Sequence, residues 1–268
     1  MIKRGIIFTI GILFICLLFH SIQAADSYVA TTGSDTTGNG SQENPWETIQ
    51  YAINNVIVGD IIHVANGTYS ENIDVNKSVS IIGDGYQNTT VTATSRFDHV
   101  FNVIANNTNV SGFTINGSTG INKAGINLYY VTNCNVLHNN ASNNEYGIYL
   151  YSSPNNTLTS NTANSNYEGI YLLSSSNNSI MNSTFNSNTR GIDIYDSNHS
   201  DITNNTLLNN NQDIYDSNTN NYISNQFLNN LNPTHTIISF TEINREKKFW
   251  RIYYIQCFYV SPKWNKLL

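Results

Sequence analysis

The sequence predicts an all-β chain wound as a right-handed parallel β-helix, with one short helix capping its N-terminal end. Three observations carry this. Gly125, Gly147, Gly169 and Gly191 stand 22 residues apart, and each opens a near-copy of one phrase: GINLYY, GIYLYS, GIYLLS and GIDIYD. Apolar residues recur two apart inside the copies, the period of a strand with one buried face. Asparagine recurs in register at Asn144, Asn166, Asn188, Asn210 and Asn230. A fixed period in the low twenties marks a solenoid built from one supersecondary unit per repeat.

The columns say which solenoid. Ile126, Ile148, Ile170 and Ile192 form one. Leu128, Leu150, Leu172 and Ile194 form the next, joined by Ile214 from a weaker fifth copy, QDIYDS, that starts at Gln212. A third column is Val136, Leu158, Ile180, Ile202 and Tyr222. A fourth is Ala141, Ala163, Phe185, Leu207 and Phe227. This alignment shortens the turn between Asn210 and Ile214 in the last rung. Each rung then offers two or three short strands, and rungs stacked at roughly 4.8 Å align them in parallel sheets. The L-x-x-L-x-L frame of leucine-rich repeats is absent, and helical repeats need about 33 residues or more. The Asn column is expected to bond amide to amide along the axis and to supply left-handed turn residues.

In chain order, residues 1–24 read as a secretory signal. Lys3 and Arg4 are the basic start, Gly5 to Phe19 the apolar run, and Ser21 to Ala24 the small-residue cleavage region. An uncleaved anchor is the alternative. No membrane span is expected after cleavage. Residues 25–98 form an N-terminal cap and the first rungs. Asn44-Pro45-Trp46-Glu47 predicts a helix start, followed by Ile49, Ala52, Ile53 and Val56 at helical spacing. Strands are expected at 61–64, 73–75 and 79–82, with turns at Gly67-Thr68-Tyr69 and Gly83-Asp84-Gly85. Residues 99–232 carry the repeats. Residues 233–268 depart from them: Lys and Arg outnumber Asp and Glu six to two. They read as a C-terminal cap or as a truncated or frame-shifted tail.

The formal charge is −6, and Arg190 is the only Lys or Arg from Gly125 to Asn230. Nucleic-acid binding needs a basic stripe, so it is excluded as a function. Cys134 and Cys257 give neither a disulfide framework nor a metal spacing.

Two stretches resemble the opening of the pectin-lyase-like superfamily. The first is Tyr28-Val29, Gly33-Ser34-Asp35, Gly40-Ser41 and Pro45 to Gln50. The second is Gly59 to Ile62 and Gly67 to Ile73, continued by Val79 to Gly83 and Val110 to Ile115. With the glycine-led repeats, residues 28–232 are similar to the NosD-like parallel β-helix proteins, many of them bacterial or archaeal surface proteins. The resemblance implies the fold and a cell-surface or secreted setting. The NosD name implies copper, yet His63, His99, His138, His199 and His235 are scattered, with no Met or Cys joining them. Signatures of pectate lyases and polygalacturonases are absent.

Candidate chemistry sits on outward columns. One is expected to run Asn127, Tyr149, Tyr171, Asp193, Asp213, and its neighbour Tyr129, Tyr151, Leu173, Tyr195, Tyr215. Tyr rings and carboxylates together suit a polysaccharide or cell-envelope glycan. The alternative is plain sheet surface, since Tyr favours strands. Asp193 over Asp213 and Asp196 over Asp216 are expected to stack about 5 Å apart. Such a cluster could recruit Ca²⁺, act as a glycosidase pair, or be a solvated product of repeat copying. Arg190 faces Glu168 one rung away as a surface ion pair. It is also the one repeat residue that could serve as the base of a polysaccharide lyase. Two functions follow: a structural or adhesive surface solenoid that holds glycans, or an extracellular polysaccharide lyase, hydrolase or epimerase. Trimmed turns favour the first, because walls of a catalytic cleft grow from long loops. Only the Gly112 to Gly125 region reads as lengthened.

Overall fold

The computed structural model describes residues 24–217 and 221–228. Residues 1–23 of the expected signal, Asn230 and residues 233–268 lie outside these. The chain winds as a parallel β-helix with three faces, every strand pair parallel. The first face stacks Asp26–Val29, Ile61–Val64, Ser80–Gly83, Asn109–Ser111, Asn135–Leu137, Thr157–Thr159, Ser179–Met181, Asp201–Leu208 and Tyr222–Leu228. The second face stacks seven strands: Ile73–Val75, Phe101–Val103, Ala124–Tyr129, Tyr146–Tyr151, Glu168–Leu173, Arg190–Tyr195 and Gln212–Asp216. The third begins as Gly67–Ser70, Thr89–Thr92 and Thr114–Asn116, and continues as single bridges through Asn140 and Thr162 to Thr184. Gly67 to Tyr69 is therefore strand rather than turn.

The apolar columns line the interior. Ile126, Leu128, Ile148, Leu150, Ile170, Leu172, Ile192 and Ile194 are fully buried, as are Val136, Leu158, Ile180 and Ile202 or nearly so. Phe101, Phe113 and Phe185 are the largest fully buried side chains. Burial of this kind, at about 25 cal/mol per Å² of apolar surface, is the main force holding the rungs together.

Four corners per rung turn through the left-handed region, each repeated at the same spacing. One corner is Asn133, Asn155, Asn177 and His199, with φ of 57°, 59°, 59° and 56°. The others run Tyr130, Ser152, Ser174, Asp196; His138, Ser160, Asn182, Asn204; and Asn143, Ser165, Ser187, Asn209. Asn and Ser dominate there because short polar side chains tolerate this backbone. The residue after each corner then locks two rungs. Asn166 Oδ1 accepts the Asn144 N–H at 2.8 Å, and Asn166 Nδ2 donates to the Ala141 carbonyl at 3.1 Å. Asn188 and Asn210 repeat the arrangement. The bonding thus runs from amide to backbone, where amide to amide was expected. Backbone partners win because a buried N–H or carbonyl left unpaired is costly. Parallel rows do the same at Asn139, Asn161, Ser183 and Asn205, at Cys134, Asn156, Asn178 and Ser200, and at Val131, Ser153, Ser175 and Ser197.

The cap helix, α1, spans Ile49–Asn55 with Thr48 as its N-cap. It starts later than Asn44-Pro45 suggested. Trp46 instead bridges Val29, and Pro45 belongs to the preceding loop. Asp35 accepts the Glu47 and Thr48 N–H groups, and Glu71 accepts those of Ile49 and Gln50 at 2.9 Å each. Carboxylates from outside the helix thus do the capping expected of a local box. Ile49, Ala52 and Ile53 are buried against the first rungs.

The last rung corrects the expected alignment. Ile192 pairs with Ile214, Asp193 with Tyr215 and Ile194 with Asp216. The 22-residue spacing therefore survives here and no turn is shortened between Asn210 and Ile214. The loss comes later: Ser200 bonds Asn221 across 21 residues and Asn205 bonds Asn225 across 20. Ile223, not Tyr222, pairs with Ile202, and Tyr222 is exposed.

Candidate functional site

The second face carries the densest chemistry. Its strands register Tyr146, Glu168, Arg190 and Gln212 in one column and Asn127, Tyr149, Tyr171, Asp193 and Tyr215 in the next. Tyr129, Tyr151, Leu173 and Tyr195 form the far edge. Alternation along each strand sends Ile and Leu inward and the second and third columns outward; the first column has the parity of the inward Ile but lies before the repeat glycine, and Tyr146 and Arg190 there meet Tyr149 and Asp193 of the second column.

The tyrosines stack on one another. Tyr149 and Tyr171 lie 5.2 Å apart at 7°, and Tyr129 and Tyr151 lie 5.3 Å apart at 15°. Edge-on contacts join the two rows through Tyr146, Tyr149 and Tyr151. Each stack therefore covers one face of each of its two rings. Tyr129, Tyr195 and Tyr215 are exposed, Tyr195 at 51%.

Below the rings lies a charged inlay. Arg190 Nη1 is 3.2 Å from Glu168 Oε1 and also bonds Asp193 Oδ2. Its guanidinium sits 5.2 Å from the centre of the Tyr215 ring. Glu168 and Asp193 are each only 3% exposed, so this is no surface ion pair. Glu168 Oε2 and Asp193 Oδ1 are buried without a donor from the rest of the chain. Burial pushes the Glu168 carboxyl up to about 8, and the Asp193 charge beside it adds to the rise. At neutral pH Glu168 holds a proton that bridges the two carboxyls. Tyr171 is pushed up to about 12 by burial and then by Asp193 and Glu168. Burial also raises Tyr149 and Tyr146.

The aspartate cluster is corrected by the same register. Asp213 takes the Gly191 position and accepts a hydrogen bond from Asn210 Nδ2, while Asp216 stands opposite the inward Ile194 and accepts from Asn221. Asp193 faces Tyr215 instead. The expected stacks of Asp193 on Asp213 and of Asp196 on Asp216 do not form, and with them goes the geometry for Ca²⁺ or a glycosidase pair there. Arg190, held by two carboxylates, is no candidate base. Tyr146 was missed in the sequence. Its signal was the residue before each repeat glycine: Ala124, Tyr146, Glu168, Arg190.

Beside this face two loops are lengthened, not one. Gly120 N–H donates to the Arg96 carbonyl at 2.7 Å, tying residues 93–99 to 117–123. Tyr146 Oη reaches Asn122 Oδ1 at 3.0 Å. The loop tips expose Phe97 and Ile121.

Solved structures share the fold. A pectin methylesterase in complex with a hexasaccharide superposes with TM-score 0.52 at 12% identity, over 68% of this chain and 65% of that one. An alginate lyase from Paenibacillus sp. gives 0.50 at 13%, over 77% and 96%. The chain thus spans just under two thirds of the methylesterase. At these identities the likeness speaks for fold alone. No protein with a curated description matches the sequence.

Residues 53–247 match the family described as periplasmic copper-binding protein (NosD). The described side chains do not fit copper. His63 Nε2 is 3.0 Å from Asp26 and its ring stacks on Tyr28. His99 Nδ1 accepts the Ala124 N–H, and burial lowers its pKa to about 4. His138 and His199 are corner residues on different rungs. The buried Cys134 thiol contacts the Ala105 and Thr132 carbonyls. Among the described residues no three His, Cys, Asp or Glu side chains converge, and His235 lies outside them. Among the described residues no helix is long and apolar enough to cross a membrane. The family match rests on the rungs themselves and runs through most of them: the chain belongs to the NosD family.

Proposed function

We propose that this protein is exported and that its tyrosine face holds an extended glycan without cleaving it. The observation that carries this reading is a pair of stacked phenols in each of two adjacent outward columns, Tyr149 on Tyr171 and Tyr129 on Tyr151, with Tyr195 and Tyr215 on the following rungs. A polymer lying along the axis meets at least one tyrosine on each of these successive rungs. Stacking holds the rings in place before any ligand arrives, which lowers the entropy lost on binding. The basic start and apolar run of residues 1–24 support export, as does the periplasmic description of the family.

Cleavage is the second reading, favoured by the Glu168–Asp193 pair, in which one carboxyl holds a proton. A general acid must reach the glycosidic oxygen. Both carboxyls lie under Arg190 and the tyrosines, which favours binding over cleavage.

The test is a glycan array of the purified protein with and without Ca²⁺, followed by a reducing-end assay on every glycan retained. Retention independent of Ca²⁺, with no new reducing ends, is expected. New reducing ends would establish the enzyme reading, and silence across the array would remove the glycan.

A further inference from the structure

Resting on the export reading, we infer that the chain is cut between Ala24 and Ala25, and that Asp60 receives the α-ammonium this cut creates. Hydrogen bonding to the first rung begins at Ala25. Its N–H donates to Asp60 Oδ1 at 2.9 Å, and its carbonyl accepts the Ile61 N–H at 2.9 Å. From Asp26 onward the strand pairs residue for residue with Ile61–Val64. Ala24 and Ala25 are both exposed. The end of the small-residue segment thus meets the first residue that the fold holds.

Asp60 lacks a counter-charge. It is only 4% exposed. Its other oxygen, Oδ2, accepts the Ile57 N–H at 2.9 Å and closes the turn after α1. Among the described residues no Lys, Arg or His forms an ion pair with it. Lys77 donates to the carbonyls of Asn54 and Val56 instead. A buried carboxylate with amide donors and no cation is costly.

One cut supplies the missing cation. A peptidase of the export route would break the C–N bond between Ala24 and Ala25 with one water. The Ala24 carbon takes the hydroxyl and the Ala25 nitrogen the hydrogen. That nitrogen then takes the proton released by the new Ala24 carboxyl, and carries a full positive charge beside Asp60 Oδ1. The bond it already makes there becomes charge-assisted. A cut after Ala25 would remove both the donor to Asp60 and the acceptor of Ile61. A cut before Ala24 would leave an uncharged amide at Ala25.

The full chain, expressed in a bacterium, would be recovered by compartment and its intact mass measured. An exported chain starting at Ala25 is expected. An unprocessed chain kept in the cytoplasm would overturn export and cut together, and an exported chain with any other start would overturn the cut alone. The pairing is tested by acetylating the α-amine near neutral pH, where lysines stay protonated, in wild type and in Asp60→Asn. Acetylation restores an uncharged amide. It should lower the melting midpoint by several degrees in wild type and by much less in Asp60→Asn. Equal shifts would show that the ammonium does not pair with Asp60. Should Asp60→Asn fail to fold, the acetylation rate decides: the folded wild-type amine should react several-fold more slowly than in urea, and equal rates would overturn the pairing.

Discussion

One nitrogen of Arg190 serves two buried carboxylates on adjacent rungs: Nη1 lies 3.2 Å from Glu168 Oε1 and bonds Asp193 as well. A single positive charge cannot balance two negative ones in a site so withdrawn from water. The proton retained by Glu168 makes up the difference.

Stability should therefore fall with rising pH. The folded-state pKa of Glu168 is raised, from 4.5 to about 8. Its favourable contribution is fully present below the unfolded value and is lost as pH rises through the folded one. Urea midpoints should decline between about pH 4.5 and about pH 8. Glu168→Gln supplies a neutral group of the same shape and should flatten this decline. A variant with the wild-type slope would show that the proton sits elsewhere. Tyr171, raised to about 12, predicts a further loss in strong alkali.

Asn166→Ala should cost about 2–4 kcal/mol, because it leaves the Asn144 N–H and the Ala141 carbonyl buried and unpaired. Asn166→Ser should cost less. Ser183 already fills the equivalent place in a neighbouring row, accepting the Asn161 N–H at 3.0 Å. Equal losses in the two variants, measured by denaturant unfolding, would mean that the acceptor does not matter.

Gly147→Ala should destabilise by about 1–3 kcal/mol. A Cβ there would lie 2.5 Å from the Gly169 carbonyl oxygen and 2.6 Å from Ala163 Cβ. The repeat glycines are needed for close approach of rungs, not for a left-handed backbone. An unchanged thermal midpoint would show that the rungs can part without cost.

Replacing Tyr149, Tyr171 and Tyr195 by Ala should abolish glycan retention on an array while far-UV circular dichroism stays native. Retention equal to wild type on the same glycan would remove the tyrosine rows from the binding surface.

Much of this was legible in the residues. The glycine, isoleucine and leucine columns from Gly125 to Ile194 stack as their spacing implies, because each side chain has the same neighbour one period away. The depth of Glu168 was not legible. Nothing in a column of Tyr146, Glu168 and Arg190 says that ring stacking beside it will seal a carboxylate from water. The Asn column was visible, but its bonding partner was not, since the carbonyl that Asn166 reaches belongs to the turn of another rung.

The sequence by itself determined the solenoid, its period and its inward columns, because a 22-residue repeat allows a single stacking in which every apolar residue finds an apolar neighbour. Only the tertiary structure decided the register of the last rung. DIYD reads with the same in-and-out alternation when slipped by two residues, so the strand alone cannot choose between Ile214 over Ile194 and Ile214 over Ile192. The Asn188–Asn210 hydrogen bond at 2.9 Å holds the spacing at 22 and selects the second. That choice places Asp193 opposite Tyr215 and leaves the supposed row of aspartates unstacked.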